Sequence, residues 1–540
     1  MHFEFVFVLL FSVATAVAIA TRHLKIPYTV ALVIAGLVLG GAHAFEPPHL
    51  TKDFLFAVIL PGLIFEAAFH LDVRKFWKER FPIIAMAIPG VAIAVVLIAL
   101  ILVPVANALH FVNDFTAIDG LIFGAIIVST DPIAVVGIFK SLGAPKRLAV
   151  LIEGESLLND GAAVVLFTIV LGVAKGGEFT VSAASLEFVR VAGGGLLVGA
   201  LVGFAASQVI RRIDEAMIEL TVTMIAAYGS FVIAERFHTS GVMATVVAGM
   251  LCGNYAAHVG MTPTTRIAVE TFWEYLAFAL NSIVFLLIGF EVELTSLLAT
   301  WKPIVTAFVV VILARAFVVY GVSLILRPTR GRIPWAWSAV TTWSGLRGAL
   351  SMVLVLGIET GFHHRELLVN MTFGVVILSI LAQGLTMGPL LKWLKIAGVQ
   401  SEIEQQYQTD HGRLLSLSAA LAEIEQMRKE RAFPAGVLDD IEKEYNARAQ
   451  NAELALRDLH LSAAELREQQ DRAAKRRLLA AERAALTHAA HTGNISSDVA
   501  SQLIVAVDTE IDLLEEHADT EGGEAKPAEA TVETSESAPQ

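Results

Sequence analysis

Ser129 to Phe167 reads STDPIAVVGIFKSLGAPKRLAVLIEGESLLNDGAAVVLF, two apolar segments joined by a short basic loop with Lys140, Lys146 and Arg147. Each segment carries acid where a membrane span tolerates it least. Asp131 lies in the first, directly before Pro132, and Glu155, Asn159 and Asp160 lie in the second. Ionisable groups deep in lipid are costly and mark ion or proton pathways. A buried acid that pairs with a buried Arg merely to hold helices together explains one such group, but not this many at one depth.

Composition agrees. The chain is 55% hydrophobic and only 17% charged, with a mean hydropathy of +0.66, which excludes an ordinary soluble globule. The single cysteine, Cys252, excludes a disulfide framework within the chain. The net charge of −13 is unevenly distributed: from 401 onward there are 28 acids and 14 bases, so residues 1–400 are close to neutral. Nothing is basic enough to suggest nucleic acid as a partner.

Working outward, hydropathy predicts about thirteen spans near the ~20 residues a bilayer requires. They fall at 4–20, 27–44, 54–71, 82–106, 117–140, 147–173, 185–210, 217–236, 239–257, 269–292, 303–326, 334–360 and 366–394. The first lacks the basic start of a cleaved signal, and Arg22 and Lys25 follow it instead, so it is read as an uncleaved span. With residue 1 outside, the inner loops collect Arg74, Lys75, Lys78 and Arg80, then Arg211 and Arg212, Arg266, Arg327, Arg330 and Arg332, and Lys392 and Lys395. The outer loops hold scattered single bases such as Lys52, Lys175, Arg236, Lys302 and Arg365. That alternation places the N-terminus outside and the C-terminal tail in the cytoplasm.

Asp160 falls at the middle of the sixth span, Ser129 to Asp131 near the middle of the fifth, and Arg347 at the middle of the twelfth. Asp131-Pro132 interrupts the fifth span, and Ser344, Gly345 and Gly348 interrupt the twelfth. Backbone freed at that depth must face protein, water or an ion. The fifth span is fifth of 1–6 and the twelfth is fifth of 8–13, sets of opposite orientation. Interrupted spans at matching places in two inverted halves point to a transporter site. The expected fold is therefore an all-α membrane protein with two inverted six-helix repeats, the seventh span as linker, and a helical cytoplasmic tail.

Glu155 and Asn159 share one stripe of the sixth helix, with Ser156 and Asp160 on the adjacent one. This face offers carboxylate, hydroxyl and amide oxygens, the ligands a hard cation such as Na+ takes, and the Thr130-Asp131 break can add a carbonyl. Arg347 is permanently charged and needs a partner in lipid. Glu155 is its candidate, although Arg315 in the eleventh span competes for it, and the sequence leaves the choice open.

STDP, EGESLLND and the later SGLRGALS together resemble the sodium/proton exchanger family, within the first class of monovalent cation:proton antiporters. The resemblance covers about residues 1–400. It implies a core bundle of crossed, broken helices, a separate dimerisation domain, a homodimer, and elevator-like alternating access. It further implies Asp160 as the ion-binding carboxylate beside Asn159, with Thr130, Asp131, Glu155 and Ser156 completing the Na+ site, and Arg347 as a structural arginine. An Asn-Asp pair, where relatives can have Asp-Asp, is associated in this family with electroneutral one-for-one exchange. No cofactor is implied beyond the transported Na+ and H+, with Li+ or K+ as alternative cations.

Weaker features have plainer readings. Glu66 and His70 are four apart on the third span and either cap its inner end or line a vestibule. Gly195, Gly199 and Gly203, like Gly36 and Gly40, make small-xxx-small stripes that suit close helix packing. His363 and His364 receive no role. The rival classes are a channel, in which the same acids form a selectivity site, and a membrane enzyme, which lacks a GxSxG-like elbow or a nucleophile–base arrangement. Beyond 400, amphipathic periodicity predicts a helical domain over 401–517, broken at Pro434 and Gly436 and near 491–498, then a disordered acidic tail at 518–540.

Overall fold

The computed structural model describes residues 3–24, 27–41, 55–111, 114–176, 180–213, 215–257, 260–291, 294–328, 331–359, 361–396, 399–430, 435–462, 464–491, 495–496, 499–500 and 502–510. Lys25, Lys52, Arg330, Pro434 and the segment 518–540 lie outside them, as do the side chains of Arg22 and Lys140. The described chain forms two compact units, Met1–Gly398 and Val399–Gln540.

The first unit contains only helices among its described regular elements. It runs through α1 (Phe3–Leu24), α2 (Tyr28–Gly41), α3 (Leu55–His70), α4 (Val73–Lys78), α5 (Arg80–Ala108), α6 (Ala117–Ile127), α7 (Ile133–Leu142) and α8 (Lys146–Ala174). It continues with α9 (Val181–Ile210), α10 (Ala216–Arg236), α11 (Gly241–Ala256), α12 (Pro263–Glu291), α13 (Leu294–Ala299) and α14 (Trp301–Leu326). The last three are α15 (Trp335–Trp343), α16 (Ala349–Leu356) and α17 (Arg365–Trp393). Among the described residues, 7 helices are long and apolar enough to cross a membrane: α5, α8, α9, α10, α12, α14 and α17.

Two apolar segments are split where the sequence places Pro and Gly. Helix α6 spans 11 residues and α7 spans 10, while α15 and α16 span 9 and 8. At 1.5 Å per residue each covers about half of a ~30 Å hydrocarbon layer. Thr116 and Asp119 start α6 with a capping box, the Asp119 carboxylate accepting from the Thr116 N–H at 2.8 Å. Pro132 cannot donate to a continuing ladder, so α6 stops at Ile127 and α7 begins at Ile133. Gly143, at φ 64°, ends α7 in the left-handed conformation that glycine tolerates.

Packing explains the glycine stripes. A Cβ on Gly195, Gly199 or Gly203 of α9 would run into Ser240, which caps α11, or Ala244 or Ala248 within it. A Cβ on Gly36 would strike the Leu286 carbonyl, and one on Gly289 the Val33 carbonyl, so α2 and α12 touch backbone to backbone. Both stripes therefore serve contacts within one chain. A small core of Phe65, Phe69, Ala227, Cys252 and Trp273 knits α3, α10, α11 and α12 together. The larger core runs through α5, α6, α8, α14 and α17 around the broken helices.

The second unit contains α18 (Val399–Glu430), α19 (Ala435–Ser462) and α20 (Ala464–His491). Helices α18 and α19 pack together, with Ile424, Leu438 and Leu456 buried and Arg428 paired with both Asp439 and Glu442.

Candidate functional site

The two breaks meet. The Asp131 N–H donates to the Leu346 carbonyl at 2.7 Å, and a Cβ on Gly348 would press on the Asp131 side chain. Gly348 is therefore where the second break lets the first approach. The Arg347 guanidinium donates from Nη1 to the carbonyls of Val128 at 2.8 Å and Ser129 at 3.1 Å. These carbonyls lie just past the end of α6, where the helix leaves acceptors unfilled. The Arg347 N–H is taken by Ser379 Oγ of α17 at 3.1 Å.

Helix α8 supplies the other wall. Ser156 Oγ donates to the Thr130 carbonyl at 2.5 Å. Asn159 Nδ2 donates to the Val128 carbonyl at 3.0 Å, to Thr130 Oγ1 at 3.2 Å and to Glu155 Oε1 at 3.4 Å. Asn159 is fully buried, and its Oδ1 has no hydrogen-bond donor among the described residues. Ser129 Oγ donates to Asp160 Oδ1 at 2.7 Å. The Asp131 carboxylate accepts from the Ile133 N–H at 3.0 Å, closing the first turn of α7.

Glu155 decides the question of pairing. Arg315 of α14 grips it with both prongs, Nη1 to Oε1 at 3.1 Å and Nη2 to Oε2 at 3.0 Å, and donates from Nε to the Thr341 carbonyl at 3.1 Å. Both side chains are buried. Of the two arginines the sequence leaves open as partners of Glu155, the structure pairs it with Arg315 and not with Arg347. Arg347 belongs to the break itself and its Nη1 donates to two main-chain carbonyls, whereas Arg315 sits on an unbroken helix and reaches Glu155 of α8. Gly345 leaves the space, since a Cβ there would meet the Arg315 guanidinium.

Asp160, Asn159, Glu155, Ser156, Thr130 and Asp131 are thus gathered at one place, with Arg315 and Arg347 at its edge. Ser129, Ser379 and the carbonyls of Val128 and Leu346 were not singled out from the sequence. Ser129 had one usable signal, its place at mid-depth beside Thr130. Glu66 and His70 pair with each other, Oε1 to Nδ1 at 3.2 Å. His364 Nδ1 lies 3.2 Å from the Asp119 carboxylate that caps α6.

The arrangement can hold a dehydrated monovalent cation by oxygen. It contains three carboxylates and two guanidiniums, and Glu155 and Arg315 neutralise each other. Arg347 offsets one more negative charge, which leaves one in excess.

Comparison with known proteins bears on this geometry. The family described as "Sodium/hydrogen exchanger, transmembrane" matches residues 8–393. The chain is 36% identical over 414 residues to the Na+/H+ antiporter ApNhaP of Aphanothece halophytica, covering 76% of this chain and 78% of that one. It is 39% identical over 348 residues to the Na+/H+ antiporter NhaP of Pseudomonas aeruginosa, covering 63% of this chain and 81% of that one. Its fold is similar to the structure of the sodium proton antiporter MjNhaP1 from Methanocaldococcus jannaschii at pH 8, with a TM-score of 0.59 and 21% identity over 72% of this chain and 97% of that one.

Proposed function

The chain belongs to the sodium/hydrogen exchanger family, and from that premise we propose that it is a secondary antiporter that exchanges Na+ for H+ at Asp160 by alternating access. Li+ and K+ are the competing cations, since both take similar oxygen ligands. The observation that carries the reading is the Asp160 carboxylate, held by Ser129 where two broken helices meet. A bare anion at mid-membrane is unfavourable. Proton and cation therefore neutralise Asp160 in turn, and competition for one carboxylate couples their movements.

The remaining residues have supporting roles in this reading. Asp131, Thr130 and Ser156 offer oxygens around the cation, and Asn159 Oδ1, buried without a donor, adds a neutral one. Glu155 is neutralised by Arg315 and shapes the site without exchanging charge. One excess negative charge is matched by one H+ or one Na+, so the cycle is electroneutral. The thirteen-span architecture, the inverted halves, the outside N-terminus, the cytoplasmic helical domain over 401–517 and a homodimer complete the proposal. They rest on the alternation of basic loops, the matched breaks and the family resemblance.

Proton flux in sealed vesicles under an imposed Na+, Li+ or K+ gradient tests the function. The reading predicts alkalinisation or acidification that reverses when the gradient is reversed. Proton movement that ignores all three gradients would overturn it, and cation flux without counter-moving protons would indicate a channel.

A further inference from the structure

The junction of α4 and α5 carries an outward stripe that exchange does not use. Trp77, 62% exposed, Phe81, 64% exposed, and Ile84 follow one another at spacings of four and three, so they line one side of nearly continuous helix. The Arg80 guanidinium lies over both rings, 5.3 Å from the Trp77 centroid and 4.7 Å from that of Phe81. It also donates to the Trp77 carbonyl at 2.7 Å.

Charge around the stripe is one-sided. Residues 72–80, DVRKFWKER, carry Arg74, Lys75, Lys78 and Arg80 against Asp72 and Glu79. Both acids are already engaged. Asp72 accepts from the Lys75 N–H at 3.1 Å and meets the Lys75 ammonium at 3.0 Å. Burial pushes the Asp72 carboxyl up, but the hydrogen bonds and charge of Lys75 outweigh it and hold the group below the usual carboxylate range. Glu79 is gripped by Arg147 at 2.6 and 3.0 Å.

The inner side of α4 is fixed in the fold. Asn254 accepts from the Val73 N–H at 3.0 Å and donates to the Leu71 carbonyl at 2.9 Å. Phe76 is buried and packs beside Gly154, next to Glu155 on α8. The outward rings and bases are therefore a stable surface.

Tryptophan beside Arg and Lys, whose stems run along apolar surface, suits the boundary between acyl chains and headgroups. A net positive boundary selects anionic headgroups. We propose that the α4–α5 junction is a binding site for anionic phospholipid, with Trp77 and Phe81 among the upper acyl chains and Arg80 at the phosphate. The acidic segment 518–540 has a complementary charge, but no aromatic residue and only Val532 as a large aliphatic one, so it offers little to cover two rings. The proposal rests on the chain spanning a bilayer and not on which ion it exchanges.

Tryptophan quenching by brominated lipid tests it on the full-length protein. The protein is reconstituted in vesicles of phosphatidylcholine and phosphatidylglycerol at a fixed ratio, with bromine on the chains of one lipid or the other. The signal of Trp77 is the difference between wild type and Trp77→Phe. Brominated phosphatidylglycerol should quench it more strongly than brominated phosphatidylcholine at equal mole fraction. Arg80→Gln should weaken that preference by up to about fivefold, whereas Arg80→Lys, which keeps the charge, should largely retain it. Equal quenching by both lipids, or a preference unchanged in Arg80→Gln, would overturn headgroup selection. Quenching by neither would show that the tail or a second copy covers the stripe.

Discussion

The main-chain N–H of Asp131 donates to the carbonyl of Leu346 across 2.7 Å, so interruptions in two distant parts of the chain form one unit. Each break exposes polar backbone that lipid cannot satisfy, and here each satisfies part of the other. Arg347 completes the exchange by donating to Val128 and Ser129.

Arg315 and Glu155 form a buried ion pair, and removing one partner strands the other. Arg315→Ala should cost about 3–5 kcal/mol of stability, read as a large drop in melting temperature of the purified protein. Arg315→Lys should be intermediate, because it keeps charge but loses the planar fork. Joint replacement, Glu155→Gln with Arg315→Met, should be less destabilising than Arg315→Ala alone. Wild-type stability in Arg315→Ala would remove the pair from the architecture.

Arg347→Ala should act differently, since it leaves carbonyls and not a carboxylate without a partner. The expected cost is about 1–3 kcal/mol, with transport lost more severely than stability because the first break is no longer held. Comparing flux with melting temperature for the same variant checks this. Normal flux in Arg347→Ala would show that the carbonyls find other donors.

Gly199 marks a contact with no spare room. Gly199→Val places atoms against the Ala244 carbonyl and should destabilise by at least about 1–3 kcal/mol through overpacking. Gly193, on the same helix, has nothing within 4 Å of an added Cβ, so Gly193→Ala should be neutral or slightly stabilising. Thermal melts of the two variants decide it, and equal effects would argue against the backbone contact between α9 and α11.

The sequence makes the breaks legible because Pro132, Gly345 and Gly348 act locally, through lost donors and lost side chains. It makes the oxygen-rich face of α8 legible because Glu155, Ser156, Asn159 and Asp160 are fixed relative to one another by helical spacing alone. It does not disclose which arginine meets Glu155. That depends on how α14 and the second break sit against α8, which no local pattern encodes. Ser129 and Ser379 escape for the same reason, since a serine in an apolar segment ordinarily satisfies its hydroxyl on its own helix. The glycine stripes of α9 and α2 announce close contact, but only the packed chain shows that α11 and α12 provide it.

Asp160→Asn should abolish cation-dependent proton flux while the protein still folds and inserts, because the amide is close in shape but exchanges no charge. Ser129→Ala, which removes the donor at 2.7 Å, should instead shift apparent Na+ affinity with flux retained. Cation-dependent flux at wild-type level in Asp160→Asn would remove Asp160 from the mechanism.

The central claim is that one carboxylate carries one charge in each direction, and the voltage dependence of the reversal point tests it most directly. Proteoliposomes receive a fixed Na+ gradient, and a diffusion potential is clamped at zero and then at about −100 mV, where one net charge is worth roughly 2.3 kcal/mol. With Asp160 as the sole exchanging group, proton flux reverses where the proton gradient equals the Na+ gradient, at both voltages. A reversal point that moves with voltage would contradict the account and require Asp131 or Glu155 to carry a second proton.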